Sequence, residues 1–218
     1  MSRLAPVLAV AAVTLFLAAC GGGEKSASGT TTSSCEDVET PAPRPDGGQT
    51  KPTTKLDASK TYVLVFETSC GDFEITLDQK QAPETSASLV SLAKAGFYDN
   101  TAIHRVVPGF VVQGGDPKGD GTGGPGYSTR DVPPKDAAYT RGVVAMAKTE
   151  FEPAGTAGSQ YFIVTGEDVG LPPDYAIVGE VTKGYDAVER IEALGNPDDP
   201  SGEPTHAVLV ERVSVLES

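Results

Sequence analysis

Reactive side chains are sparse in this 218-residue sequence: two histidines, His104 and His206, and three cysteines, Cys20, Cys35 and Cys70. No serine sits in a Gly-x-Ser-x-Gly elbow, so nucleophilic hydrolysis lacks its usual signal. The cysteines and histidines show no metal-ligand spacing, and neither a metal nor another cofactor is expected. Gly119-Asp120-Gly121-Thr122-Gly123-Gly124 matches the glycine pattern of dinucleotide-binding loops. Pro125-Gly126 follows it instead of a helix, which points to a tight surface loop. Asp198-Asp199 lies among Pro and Gly and reads as a solvated turn. What remains is the run Ile103-His104-Arg105-Val106-Val107-Pro108-Gly109-Phe110-Val111-Val112-Gln113-Gly114-Gly115-Asp116, followed later by Gly142–Ala147 and Gly158–Ile163. Across a Pro-Gly turn, it brings a permanent cation, Arg105, close to a ring, Phe110, and an amide, Gln113. Such a set can donate hydrogen bonds and clasp an apolar group.

Short strands must carry these residues. Tyr62–Glu67 and Asp72–Leu77 are β-biased runs separated by Thr68-Ser69-Cys70-Gly71, a hairpin signal. A helix opens at Ala82-Pro83-Glu84-Thr85 and runs through Ala95, with Gly96 as its stop. Strands follow at Ala102–Val106, Phe110–Gln113, Gly142–Ala147, Gln160–Thr165 and Ala176–Val181. A second helix spans Tyr185–Leu194, and Val208–Val215 alternates well enough to close the sheet. Many short strands, glycine-rich connections and two helices predict a mainly β fold, a closed antiparallel barrel. With 39% apolar residues the chain can build a core, and residues 61–218 read as one domain. Lys and Arg number 17 against 30 acidic residues, a net charge of −13. Nucleic acid is excluded as a partner on that charge, because neutralising phosphates needs clustered cations.

The order of these motifs closely resembles the cyclophilin family of peptidyl-prolyl cis-trans isomerases. The family signature is similar to Phe-His-Arg-Val-x-Pro-Gly-Phe-x-x-Gln-Gly-Gly-Asp with a later Gly-Ser-Gln-Phe-Phe, and here Gly158-Ser159-Gln160-Tyr161-Phe162 completes it. The resemblance runs from about residue 62 to 215. It implies an eight-stranded barrel capped by two helices. It also implies a site of Arg105, Phe110 and Gln113 as catalytic residues, with Val111, Ala147, Gln160, Phe162, Leu171 and Tyr175 binding substrate. Three positions depart from the family pattern: Gly170 stands where a rim Trp is frequent, Tyr175 where His is frequent, and Lys148 where Asn is usual. The loop Thr149–Gly155 is also longer than in compact members. The rim Trp is the residue whose indole N–H the family offers to the macrocycle cyclosporin.

The implied reaction needs no acid, base, nucleophile or metal. Rotation about an X–Pro bond faces ~18–20 kcal/mol from amide resonance. In the twisted amide the prolyl nitrogen is pyramidal and accepts a hydrogen bond, which Arg105 can donate. Phe110, Phe162, Leu171 and Val111 would clasp the proline ring, and Gln113 would hold a substrate carbonyl. His104, Met146 and Tyr161 are assigned to structure.

Residues 1–19 read as a signal peptide: basic Arg3, then an apolar run too short for a comfortable membrane span of ~20 residues. Leu17-Ala18-Ala19-Cys20 resembles a bacterial lipobox, so Cys20 is expected to carry lipid. Residues 20–60 are rich in Gly, Ser, Thr and Pro and read as a tether. Export implies an oxidising compartment, in which Cys35 and Cys70 either form a disulfide, the expectation here, or stay as two free thiols. The expected partners are proline-containing peptides and unfolded exported proteins, with the membrane reached through the lipid. The domain is expected to be a monomer on the outer face of the cell membrane.

Overall fold

The computed structural model describes Met1 and residues 34–218. The expected signal peptide after Met1, the expected lipidation site Cys20 and the first part of the expected tether lie outside the described residues.

Alternating apolar residues set the sheet. β1 (Tyr62–Thr68) and β2 (Phe73–Leu77) bury every second residue and pair as an antiparallel hairpin. Their inward rings meet: Phe66 stacks on Phe73 at 4.8 Å, and Tyr161 sits edge-on to Phe66 at 5.2 Å. Offset and edge contacts of this kind add ~0.5–1.5 kcal/mol each to the burial of the rings. The remaining strands are β3 (Thr101–Ala102), β4 (Arg105–Val107), β5 (Val111–Gly114), β6 (Thr129–Arg130), β7 (Val143–Met146), β8 (Thr156–Ala157), β9 (Tyr161–Val164), β10 (Ile177–Lys183) and β11 (Leu209–Glu217). Nine of the eleven strands form one sheet in the order β3-β11-β1-β2-β10-β7-β9-β5-β4, while β6 and β8 pair separately.

That order corrects the expected closed eight-stranded barrel: the sheet is an open half-barrel of nine strands. The run expected as one strand, Ala102–Val106, is broken at Ile103-His104. Its first half pairs with β11 and its second with β5, so β3 and β4 become the two edges. Ile103 donates to the Val208 carbonyl and His104 to that of Gln113, which turns the chain from one edge to the other. Strands of two and three residues are too short for a ladder between the edges. The mainly β character and the two helices stand.

α1 (Pro83–Lys94) starts at a proline, whose missing N–H costs nothing there, and its preceding residue Ala82 offers no side-chain cap. The cap comes from afar. Asp131 accepts from Thr85 N–H (2.7 Å), Thr85 Oγ1 (2.7 Å) and Glu84 N–H (3.4 Å). Asp131→Ala is therefore expected to cost about 1–2 kcal/mol, lowering Tm by roughly 2–8 °C in a scan of the purified chain. An unchanged Tm would show that water caps the helix equally well. α2 (Tyr185–Glu192) buries Ala187, Val188 and Ile191, and its Arg190 Nε donates to the Cys70 carbonyl at 2.7 Å.

Cys35 and Cys70 are joined in a disulfide. Residues 35–53 form no helix or strand, in keeping with their composition, but they do not stand off from the domain. Glu36 N–H donates to the Ser69 carbonyl, and Arg44, Gly47 and Gln49 donate backbone N–H groups to residues 117–125. Backbone bonds and the disulfide hold a segment too polar to dock by burial.

Candidate active site

Four neighbouring strands align the chemistry. Arg105 on β4 is directly opposite Gln113 on β5, Gln113 opposite Phe162 on β9, and Phe162 opposite Ala145 on β7. Cross-strand partners share a face, so this register puts Arg105, Gln113 and Phe162 in one row. The row faces away from the main core. Beneath it Val111, Tyr139, Ala145, Phe162 and Val164 form a second apolar cluster. Val112 and Gly114, on the opposite face of β5, point to the main core. A Cβ on Gly114 would stand 2.7 Å from Ile103 Cδ1, and one on Gly115 2.4 Å from the Ser159 carbonyl oxygen. The paired glycines of the motif thus leave no room for a side chain where the strand passes Ile103 and Ser159.

Arg105, Phe110, Val111, Gln113, Ala147, Lys148, Phe162, Leu171 and Tyr175 line a cleft of about 230 Å³. The structure therefore brings together eight of the nine expected site residues. The ninth, Gln160, sits one step away. It lines an adjoining cleft of about 680 Å³ that shares Gln113, Ala147 and Lys148 with the first. Gln113 Nε2 donates to Gln160 Oε1 at 3.1 Å, and Gln160 Nε2 donates to the carbonyls of Gly121 (2.9 Å) and Gly123 (3.0 Å).

Arg105 is the group left open. Among the described residues no carboxylate pairs with it and no side-chain acceptor takes its N–H groups. Its guanidinium carbon stands 5.8 Å from the Phe110 ring centroid. Its stem is confined, because a Cβ on Gly202 would come within 3.0 Å of Arg105 Cγ. A held stem with free donors is a preorganised hydrogen-bond source facing an apolar cleft.

Tyr175 and Phe162 meet edge to face at 5.6 Å. Tyr175 is fixed by a residue that no sequence motif marks: Tyr139 Oη donates to the Tyr175 carbonyl (2.7 Å) and accepts from Tyr175 N–H (3.0 Å). Burial pushes the Tyr139 phenol above its ordinary pKa, which keeps that donor protonated. Lys148, known from sequence only as a departure, also lines both clefts. Its side chain is 3% exposed, 2.6 Å from Asp174 Oδ2, and donates to the carbonyls of Thr149 and Glu152. The lysine ties the long loop after it to the rim, and that loop carries Phe151, 89% exposed. Gly170 does not line the cleft. It has φ +62° and open space where a Cβ would stand.

The glycine-rich run is the surface loop its sequence suggested, and it has an anchor. Fully buried Asp116 accepts N–H groups from Lys118, Asp120 and Gly121, and a Cβ on Gly123 would lie 2.1 Å from its Oδ1.

His104, assigned to structure, lies beside Arg105 with neither ring nitrogen hydrogen-bonded. Burial lowers its pKa, with Asp116 opposing and Arg105 assisting. Since the folded chain disfavours the imidazolium, the stability linked to His104 is complete above the ordinary value near 6.5. It is lost as pH falls from there toward the depressed folded value. Urea midpoints are expected to drop between pH 7.5 and 5.5 more in the native sequence than in His104→Gln. Parallel drops would remove His104 as the cause.

Comparison with known proteins adds to this geometry. Residues 63–215 match the family model described as cyclophilin type peptidyl-prolyl cis-trans isomerase. The peptidyl-prolyl cis-trans isomerase CYP18-2 of Arabidopsis thaliana is 33% identical over 158 residues, covering 71% of this chain and 93% of its own. The peptidyl-prolyl cis-trans isomerase-like 2 protein of Cryptococcus neoformans is 35% identical over 165 residues, 73% of this chain; the match spans only 28% of that longer relative. A crystal structure of a Cryptosporidium parvum cyclophilin type isomerase, determined in the presence of the dipeptide Ala-Pro, superposes with a TM-score of 0.64 at 30% identity. It covers 71% of this chain and 98% of that one.

Proposed function

The chain belongs to the family of cyclophilin-type peptidyl-prolyl cis-trans isomerases, and we propose that it catalyses rotation about X–Pro peptide bonds through the Arg105 cleft. The observation that carries this reading is the Arg105 guanidinium, unpaired among the described residues, beside an apolar cleft with Gln113 across the strand pair. A proline ring seats against Phe110, Phe162 and Leu171. Gln113, oriented by Gln160, donates to a carbonyl of the bound peptide. As the bond twists, the prolyl nitrogen's lone pair leaves conjugation with the carbonyl and localises, and an Arg105 N–H donates to it. That contact exists only in the twisted state, so it lowers the barrier rather than deepening ground-state binding. The Ala-Pro dipeptide present with the Cryptosporidium isomerase fits such a substrate class. A protease-coupled assay on Ala-Ala-Pro-Phe-type peptides tests the proposal: turnover above the uncatalysed rate supports it. Peptide binding without turnover would instead leave a proline-binding module.

We also propose that the protein works on exported proteins while anchored to the membrane by lipid on Cys20. The motif Leu17-Ala18-Ala19-Cys20 supports this, and so does the Cys35–Cys70 disulfide, a bond suited to an oxidising compartment. Metabolic labelling with a fatty acid should mark the native chain and not Cys20→Ser, which should leave the membrane fraction. An unlabelled native chain would refute the anchor.

A further inference from the structure

Three backbone donors of one segment converge on one loop. The N–H of Arg44 donates to the Pro117 carbonyl (2.9 Å), that of Gly47 to Gly124 (2.7 Å) and that of Gln49 to Pro125 (3.1 Å). The two backbones nearly touch: a Cβ on Gly126 would stand 2.9 Å from Gly47 Cα and 3.2 Å from Gly48 N. Upstream the segment is tied by the Cys35–Cys70 disulfide, by Glu36 N–H on the Ser69 carbonyl, and by the Arg44 guanidinium on the Phe97 carbonyl.

The loop held this way is the glycine-rich one. Gly119, Gly121, Gly123 and Gly124 give it high entropy when free, so it must be ordered by contacts. Asp116 fixes its first part, through residues 118–121. The segment around Gly47 fixes its second part, residues 124 and 125. Residues 121–126 wall the larger cleft opposite Lys148, Thr149 and Glu152. The same loop presents the Gly121 and Gly123 carbonyls to Gln160, which in turn orients Gln113. Hydrogen bonds at both ends, joined by the loop backbone between Gly123 and Gly124, therefore link the segment to the Gln113 amide.

We propose that residues 35–49 are a positioning strap for the isomerase site: by pinning the glycine-rich loop they set the shape of the larger cleft and thereby choose which residues flanking the proline are accepted. The proposal rests on the isomerase reading. A peptide whose proline fills the smaller cleft can continue over the shared wall of Gln113, Ala147 and Lys148, which places a side chain of that same peptide in the larger one. Arg105 keeps its own support on β4 and against Gly202, so the strap acts on acceptance more than on rotation.

The test uses the full chain, Cys35→Ala/Cys70→Ala, and Gly47→Pro. The last removes the donor to Gly124 and cannot hold φ +73°, yet leaves the disulfide and the core intact. Isomerisation of peptides that vary in the residue two before proline (Gly, Ala, Leu, Glu, Lys) gives kcat and KM for each. In the native chain kcat/KM should spread about tenfold or more across the series. In Gly47→Pro the spread should shrink to within about threefold through KM, with kcat held within about threefold. Should the cysteine variant melt below the assay temperature, Gly47→Pro carries the comparison. A native spread under threefold, a spread unchanged in Gly47→Pro, or a loss confined to kcat would each overturn the strap. A native chain that turns over no peptide refutes the isomerase reading instead.

Discussion

Arg105→Ala should lower kcat/KM for a prolyl tetrapeptide by at least about a hundredfold. One preorganised donor aimed at developing charge in a dry site is worth roughly 3 kcal/mol, and each 1.36 kcal/mol is tenfold in rate. Arg105 is suited to that role because its stem is packed against Gly202 while its N–H groups are uncommitted among the described residues. Arg105→Lys keeps the charge but replaces a rigid fork with a mobile point donor, so most of the loss should persist. Peptide affinity should change far less, since Phe110, Phe162, Leu171 and Tyr175 supply the apolar contact. The decisive pair of measurements is protease-coupled turnover and peptide titration by NMR on the same variant. Near-native turnover in Arg105→Ala would sink the mechanism.

The second large effect concerns cyclosporin. In family members with a rim Trp, that residue gives the macrocycle an indole donor and aromatic area. The sequence resemblance puts Gly170 at the corresponding place, and Gly170 has φ +62° and no neighbour within 4 Å of where a Cβ would stand. A lost hydrogen bond costs ~0.5–1.5 kcal/mol, and lost ring burial adds to it. Inhibition should therefore be weaker by roughly ten- to a thousandfold than in a Trp-bearing relative. Gly170→Trp should recover only part of this, because a left-handed backbone costs an L side chain roughly 1–2 kcal/mol. Turnover of small peptides should be indifferent to the change, for Gly170 lies outside the cleft lining. Inhibition at stoichiometric drug, or an inhibition constant unmoved by Trp at 170, would show that Gly170 is not the rim position.

Much of this site is legible in residue order, for identifiable reasons. A Pro-Gly turn between two short β-runs brings Arg105 near Phe110 and Gln113 in the local sequence, while the strand bounds that pair Arg105 with Gln113 come from the structure. The clasping residues Leu171 and Tyr175 follow only from the family resemblance, since no periodicity marks a loop. Tyr139 and the Lys148–Asp174 pair are not legible as functional, because they act through contacts 36 and 26 residues away in the chain. The break at Ile103-His104 is hidden because Ala102–Val106 carries no Gly, Pro or other turn residue and reads as one continuous strand. Composition reads residues 20–60 as a tether, and of these residues 35–53 form no helix or strand. It cannot show their docking, which depends on backbone donors that every residue except proline possesses.

The open sheet carries a further consequence, for behaviour in crowded solution. An open sheet has two margins at which another chain could add a strand and begin aggregation. Here those margins are β3 and β4, two and three residues long, against an ordinary strand of ~5–6 residues. The outer side of β4 is further occupied, because Val106 N–H already donates to the Gly202 carbonyl at 2.7 Å. The longest ladder, β1 with β11, is enclosed between other strands. Edge-to-edge polymerisation therefore finds only stubs to build on. A foreign strand seeking a partner meets almost no template here.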